Sequence, residues 1–141
     1  MKKSITVNAA PETVWNAIVS YRESQPHRRR VISRTGDKAV LEESFTGLPV
    51  VGSSRVLYEE VEQPFERIDF RLLEADHLST FQGDWTIVPN SDGETCEARL
   101  TAEIDIDMQI PFKEAILSQL AEMDMGKRLA YVKQTAESQE T

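Results

Sequence analysis

The sequence predicts an α+β domain in which an antiparallel β-sheet packs against a long C-terminal helix. Most of the chain alternates apolar and polar residues with the period of a strand, and turn signals separate these segments. One short segment near the N-terminus and one long segment at the C-terminus instead carry apolar residues at helical spacing. Since no regular strand–helix–strand repeat occurs, a doubly wound parallel sheet is not expected.

The N-terminal segments predict a short strand followed by a helix. Residues 3–7 alternate around Ile5 and Val7, as in a strand. Pro11 and Glu12 are both favourable in the first turn of a helix, because proline lacks an N–H that would be unpaired there and a carboxylate complements the helix dipole. Apolar residues then recur at helical spacing, at Val14, Ala17, Ile18 and Tyr21. We predict a helix over Pro11–Tyr21.

The middle of the chain predicts consecutive strands joined by short turns. The predicted strands cover residues 29–34, 39–46, 54–62, 67–74, 79–88 and 95–108, and Gly, Pro, Asn and Asp residues lie between them. Strands connected in this way form an antiparallel meander with one solvated face.

The C-terminal helix is predicted over Pro111–Glu137, because no further proline follows and two apolar stripes have helical spacing. The first stripe comprises Phe112, Ile116, Leu120 and Met123. The second stripe is rotated and comprises Met125, Leu129, Val132 and Ala136. Gly126 at the switch suggests a kink or close packing. We predict that the first half covers a cavity and the second half packs on the sheet and the first helix.

Composition indicates one domain over residues 1–137, with residues 138–141 as a flexible tail. No apolar run approaches the roughly 20 residues that span a bilayer, and no signal peptide is evident, so the predicted location is the cytoplasm. The single cysteine, Cys96, fits a reducing compartment and is interpreted as a core residue. A net charge of −8 disfavours nucleic acid as a partner. A homodimer is kept open.

No metal site and no cofactor are expected. His27 and His77 lie far apart in the sequence, without ligands at metal-binding spacing, and no glycine-rich phosphate loop occurs. Basic residues do cluster at His27, Arg28, Arg29, Arg30, Arg34 and Lys38. We interpret this cluster as a solvated turn and strand edge, with binding of a phosphate or an acidic partner as the alternative.

Two glutamates are candidate catalytic residues. If Leu41 and Phe45 point inward, Glu43 lies on the same face, and Leu57 and Val61 place Glu59 inward in the same way. Two acids in an apolar interior would have raised pKa values and could act as general acid or base. The alternatives are that this hairpin lies at a sheet edge, or that Val40, or Val56 and Tyr58, set the phase, because a slip of one residue reverses every side chain.

Three segments in order resemble the START-like, or SRPBCC, superfamily. Residues 5–18 read ITVNAAPETVWNAI, and residues 81–89 read FQGDWTIVP with the Gly-x-Trp pattern at Gly83 and Trp85. Residues 128–137 read RLAYVKQTAE, similar to the family's final helix with a Lys and a terminal Glu. The subgroup that looks most similar is the polyketide cyclase/dehydrase and lipid-transport group, which includes coenzyme Q-binding proteins and the ribosome-association toxins.

The resemblance implies a helix-grip fold, in which a curved antiparallel sheet surrounds the long C-terminal helix and encloses a hydrophobic cavity. The implied ligand-binding wall comprises Tyr58, Ile68, Phe70, Leu72, Phe81, Trp85, Phe112, Ile116, Leu120 and Met123. The predicted function is binding or transport of a lipid, a quinone or a polyketide-like molecule. A cyclase or dehydratase that uses Glu43 and Glu59 is the alternative, and a protein-interaction role like that of the toxins is the third hypothesis.

Overall fold

The computed structural model describes residues 1–139, which form two helices and one seven-stranded antiparallel sheet. In chain order the elements are β1 (Lys2–Val7), α1 (Pro11–Tyr21), β2 (Arg29–Thr35), β3 (Lys38–Leu48), β4 (Gly52–Gln63), β5 (Arg67–Ala75), β6 (Leu78–Pro89), β7 (Cys96–Ile106) and α2 (Lys113–Gln139). The strand order in the sheet is β1-β7-β6-β5-β4-β3-β2. The α+β class, the meander and the helix-grip architecture are therefore confirmed.

The sheet carries irregularities that bend it around α2. The pairing register shifts between Val31 and Ser33, between Phe45 and Leu48, and at two further places in the sheet. Extra residues of this kind bend a strand and increase its twist. A sheet bent in this way can surround a helix and leave space between them.

Gly83 on β6 lies where the neighbouring strands leave no space for a side chain. A Cβ atom at this position would collide with the carbonyl oxygen of Thr101 on β7 and would lie 2.8 Å from Cζ of Phe70 on β5. Glycine is therefore required at the first position of the Gly-x-Trp pattern, because no side chain fits there.

The core lies between the concave face of the sheet and the two helices. Val7, Val14, Leu100, Leu129 and Val132 are almost completely buried and come from β1, α1, β7 and α2. Cys96 is also buried, and its thiol donates a hydrogen bond to the carbonyl oxygen of Ala9 at 3.2 Å. Burial raises the pKa of this thiol.

Helix α2 begins two residues later than predicted. Phe112 has φ +59°, which is incompatible with a helical turn, so Pro111 and Phe112 precede the helix. At the other end, α2 includes Ser138 and Gln139, two residues of the expected tail. The remaining tail positions, 140 and 141, lie outside the described residues.

Of the two apolar stripes predicted on α2, the second is buried as predicted, whereas the first does not form one face. The buried residues of α2 are Leu117, Met125, Leu129, Val132 and Ala136. Phe112 is 82% exposed, and Ile116 and Met123 are exposed as well. Apolar spacing alone does not specify which side of a helix the sheet covers. A Cβ atom added at Gly126 would lie 3.4 Å from Nζ of the flexible Lys3 side chain, which is an ordinary contact distance, so close packing does not require glycine here.

Neither helix within residues 1–139 is long and apolar enough to cross a membrane.

Candidate functional site: an amphipathic cavity under the C-terminal helix

A cavity of about 420 Å³ lies between the concave face of the sheet and α2. Its volume is within the range of roughly 300–1,000 Å³ that is usual for small-molecule sites. The apolar lining comes from Phe45, Leu48, Phe81, Ala102, Ile104, Leu117, Leu120, Ala121, Met123 and Met125. The polar lining comes from Tyr21, Ser24, Gln25, Arg28, Glu43, Thr46, Asp124, Lys127, Arg128 and Tyr131. The cavity is therefore amphipathic rather than purely hydrophobic.

The structure divides the predicted wall residues into three groups. Phe81, Leu120 and Met123 line the cavity, and Tyr58, Phe70 and Trp85 line a small adjoining recess of about 30 Å³. Ile68 is buried in the core, and Leu72 packs against that core, but neither lines the cavity or the recess. Phe112 and Ile116 are exposed and also lie outside the lining, because Phe112 precedes α2 and Ile116 is on another side of it.

The aromatic residues form a cluster behind the apolar lining. The ring centroid of Phe81 lies 5.0 Å from those of Phe45 and Phe70 and 5.1 Å from that of Tyr58. Aromatic pairs at these distances contribute about 0.5–1.5 kcal/mol beyond the burial of their surface. Phe81 is thus held in place from three sides where it meets the cavity.

Glu43 is buried beside the cavity, as the alternation with Leu41 and Phe45 predicted. Arg29 donates to both carboxylate oxygens, from Nε to Oε1 at 2.9 Å and from Nη2 to Oε2 at 3.2 Å. The Tyr58 hydroxyl donates to Oε1 at 2.9 Å, and Nη2 of Arg128 donates to Oε2 at 3.0 Å. Each carboxylate oxygen therefore accepts two hydrogen bonds.

These partners reverse the expected pKa shift of Glu43. Burial pushes its pKa upward, but the positive charges of Arg128 and Arg29 and the hydrogen bonds push it further down, so the net shift is below the ordinary value. A raised pKa was expected from the sequence because arginines that are distant in the chain were not considered. At neutral pH Glu43 is ionised and orients Arg128 and Tyr58.

The prediction that Glu59 points inward is wrong. On β4, Ser54, Val56, Tyr58, Glu60 and Glu62 are buried, so the inward phase is the one set by Val56 and Tyr58. Glu59 lies on the opposite face, where Arg71 of the neighbouring strand is 3.4 Å away. Sequence alternation was compatible with both phases on this strand.

Glu60 and Glu62 take the inward positions and form a second buried ionic cluster. Nε of Arg22 donates to Glu60 Oε1 at 2.6 Å, and Nη1 of Arg22 is 2.8 Å from Glu62 Oε2. Arg34 binds both oxygens of Glu62, at 2.8 and 3.0 Å. Burial raises the pKa of Glu60 despite Arg22, whereas for Glu62 the two arginines outweigh burial and lower the pKa.

The basic cluster seen in the sequence does not form one surface. Arg29 is buried against Glu43, Arg34 binds Glu62, and Arg30 pairs with Glu42 on the exposed side of the sheet. Arg28 lines the cavity. Alternation along β2 separates these side chains, so neither of the two interpretations of the cluster describes all its members.

Several polar residues at the site were missed by sequence reasoning. Tyr21, at the end of α1, lies beneath two guanidinium groups, with its ring centroid 4.2 Å from Arg29 and 5.1 Å from Arg128. Asp124 accepts from Nε of Arg128 at 2.7 Å. One signal was available in the sequence: Arg128 follows Met125 by three positions and therefore lies on the same side of the helix as the second apolar stripe.

A second, wider depression of about 530 Å³ lies on the other side of the sheet. It is open and lined largely by charged residues, of which Arg67 pairs with Asp69 at 2.8 Å and with Asp84 at 3.3 Å. This depression is therefore solvated surface. Within residues 1–139 there is also no group of three or more His, Cys, Asp or Glu side chains that could hold a metal ion.

Solved structures share this fold at low sequence identity. The Zhui aromatase/cyclase from Streptomyces sp. R1128 has a TM-score of 0.83 at 16% identity, over 100% of this chain and 94% of that one. The protein TTHA0849 from Thermus thermophilus has a TM-score of 0.76 at 19% identity, over 100% and 99% of the two chains. A START superfamily protein from Mycobacterium smegmatis has a TM-score of 0.75 at 19% identity, over 100% and 98%.

None of the curated proteins is significantly similar to this sequence. At identities below one fifth, the structural likeness establishes the fold and not the activity. A family model, described as polyketide cyclase / dehydrase and lipid transport, matches residues 1–137. The chain therefore belongs to the polyketide cyclase / dehydrase and lipid transport family.

Proposed function

We propose that this protein binds a small molecule with a large apolar part in the cavity under α2. The observation that carries the proposal is the cavity itself, which has about 420 Å³ of space lined by aromatic and aliphatic side chains from the sheet and α2. An apolar ligand that enters such a space gains about 25 cal/mol for each Å² of apolar surface removed from water. The family's description as polyketide cyclase / dehydrase and lipid transport supports the same class of ligand.

Catalysis through the two glutamates proposed from the sequence has little support. Glu59 is on the opposite face of the sheet, and Glu43 is ionised with four hydrogen bonds to its oxygens. A general acid must hold a proton, and a general base must have a free lone pair directed at the substrate. Glu43 meets neither condition in this arrangement.

A binding experiment with a neutral apolar dye such as Nile red tests the proposal. We expect a saturable rise in fluorescence with the purified protein. Ala121→Trp should weaken binding at least about tenfold, because Ala121 lines the cavity and an indole would fill it. Ala130→Trp, on an exposed position of the same helix, should leave binding unchanged.

Two outcomes would overturn the proposal. One is the absence of saturable dye binding together with no apolar compound in an organic extract of the protein analysed by mass spectrometry. The other is equal weakening by both tryptophan variants, which would show that the dye binds outside the cavity. Thermal melts of both variants check that the fold is retained.

A further inference from the structure

The charges that line the cavity do not balance. Three cationic side chains line it, Arg28, Lys127 and Arg128, but only two carboxylates do, Glu43 and Asp124. Both carboxylates are bound by Arg128, at 3.0 and 2.7 Å. Glu43 is shared further with Arg29 at 2.9 Å. The lining therefore carries excess positive charge, although the chain as a whole has a net charge of −8.

Of the two cations in this lining that bind no carboxylate within residues 1–139, Arg28 is half-buried, whereas Lys127 is exposed to solvent. Nη1 of Arg28 donates to Oε1 of Gln25 at 3.2 Å, but Nε is buried and has no hydrogen-bond partner within residues 1–139. Within the same residues Arg28 forms no ion pair. A buried donor that lacks a partner lowers the stability of the protein. Nη2 of Arg28 also makes no hydrogen bond within these residues but is not buried, so this nitrogen can donate to an acceptor oxygen of a ligand.

The backbone holds Arg28 at a fixed place on the cavity wall. Its carbonyl oxygen accepts a hydrogen bond from the backbone N–H of Ser44 on β3 at 2.8 Å. Its own N–H donates to the carbonyl oxygen of Gln25 at 2.9 Å. Ser44 directly follows Glu43 in the sequence, so this contact fixes the Arg28 backbone beside the strand position that holds Arg128.

Arg128 contributes a second guanidinium to the same wall. Its Nε and Nη2 are occupied by Asp124 and Glu43, and its guanidinium lies over the Tyr21 ring. Its remaining nitrogen, Nη1, makes no hydrogen bond within the part of the chain that the structure describes. Burial alone would lower the pKa of Arg128, but the nearby carboxylates raise it, so the side chain stays charged.

From this arrangement we infer that the ligand is an organic acid, with an apolar body in the cavity and a carboxylate that binds Arg28, next to Arg128. This inference rests on the proposed function, since it specifies the class of molecule bound in the same cavity. A guanidinium presents parallel N–H donors that match a planar carboxylate, and such pairs are stronger than hydrogen bonds between neutral groups. The apolar lining from β3, β7 and residues 117–125 of α2 would hold the rest of the molecule.

The test compares a dansyl-labelled fatty acid with its methyl ester, which has the same apolar body but no charge. The full chain should bind the acid at least about tenfold more tightly than the ester, a preference typical of one charge-assisted contact. Arg28→Gln should abolish this preference, because it should weaken binding of the acid about tenfold more than binding of the ester. Arg30→Gln is the matched control, since Arg30 is exposed and pairs with Glu42 outside the cavity, and it should retain the preference.

The outcomes separate this inference from the proposed function. If neither probe binds, the proposed function fails. If the acid and the ester bind equally well to the wild-type protein, the cavity binds apolar molecules but the inference of an acid is overturned. If Arg28→Gln weakens both probes by the same factor, the assignment of the carboxylate to Arg28 is overturned.

Discussion

The part of α2 before Gly126 and the part after it have different surroundings. Among residues 113–124 only Leu117 is buried, and several of the others line the cavity. After Gly126, the buried residues Leu129, Val132 and Ala136 pack against the rest of the core. The first part thus forms one side of a binding site, and the second part is scaffold.

Polar contacts reinforce this difference. Lys133 donates from Nζ to the carbonyl oxygen of Thr6 on β1 at 3.0 Å, and Glu137 accepts from the backbone N–H of Asn8 at 2.9 Å. These are the Lys and the terminal Glu of the final helix that the family resemblance singled out. They attach the second part of α2 to the beginning of the chain, which leaves the first part free to cover a cavity that side chains do not fill.

The largest effect on stability is expected for Glu43 of β3, which binds Arg128 close to the boundary between the two parts of α2. Glu43→Gln should lower the free energy of unfolding by about 3–5 kcal/mol, because it leaves Arg29, whose side chain is only 2% exposed, as a buried cation without its partner. Glu42→Gln changes the neighbouring, more exposed carboxylate and should cost no more than about 1 kcal/mol. Urea unfolding measures both values. Equal losses of stability in the two variants would show that the buried carboxylate contributes no more to stability than the exposed one.

The next effect compares two leucines of α2. Leu129→Ala should destabilise the protein by about 3 kcal/mol, because it leaves a void in a closely packed core. Leu120→Ala should cost about 1 kcal/mol, since Leu120 is only half-buried and already borders the cavity. Urea unfolding measures both stabilities. In a Nile red titration, Leu120→Ala should change the affinity for the dye more than Leu129→Ala does. Similar stability losses would refute the distinction between binding site and scaffold.

The dependence of stability on pH should separate the two buried ionic clusters. The pKa of Glu43 is lowered from about 4.5, so its contribution is present above that pH and is lost as the pH falls through the lowered value. The pKa of Glu60 is raised, so stability should fall as the pH rises from about 4.5 through the raised value. Glu43→Gln should reduce the loss of stability in acid, to which Glu62 also contributes, and Glu60→Gln should remove the decline at higher pH. Urea midpoints over a pH series measure both, and unchanged profiles would contradict the assignment.

The smallest effect is expected at the glycine between the two parts. Gly126→Ala should raise stability by up to about 1 kcal/mol, because a new Cβ meets only the Lys3 side chain and alanine favours the helix. Gly83→Ala is the contrasting substitution and should destabilise, since its Cβ collides with the backbone of Thr101. Thermal melts measure both changes, with a higher melting temperature expected for Gly126→Ala and a lower one for Gly83→Ala. Destabilisation by Gly126→Ala would restore the prediction that α2 needs a glycine there.

Local patterns predicted the elements well but predicted the faces of some elements poorly. The bounds of α1, Pro11–Tyr21, are confirmed at both ends, because a proline start and a helical stripe specify them locally. The α2 start was missed by two residues, because the left-handed backbone of Phe112 is a feature of the chain's path and not of its apolar spacing. On β4 both phases placed apolar residues on one face, and the sequence supplied no reason to choose between them.

At the candidate site, too, the residues specified by local sequence patterns were found, and those that depend on distant parts of the chain were missed. Glu43 was found because Leu41 and Phe45 flank it at the strand period, whereas Arg128, its partner 85 residues away, was not. A buried carboxylate surrounded only by its sequence neighbours would have a raised pKa, and the opposite shift depends on charges from β2 and α2. The predicted wall residues Phe112 and Ile116 had the right chemistry for a cavity and lie outside it.

The sequence by itself determined the α+β class, the run of consecutive strands, the two helices and the family, because periods of two and 3.6 residues and short motifs are local properties of a chain. The tertiary structure decided which face of β4 and of α2 points inward, which charges neutralise one another, and which half-buried arginine at the cavity has no carboxylate partner within residues 1–139. Those outcomes depend on pairing and packing between residues that are far apart in the sequence, and a shift of one residue in register changes them all.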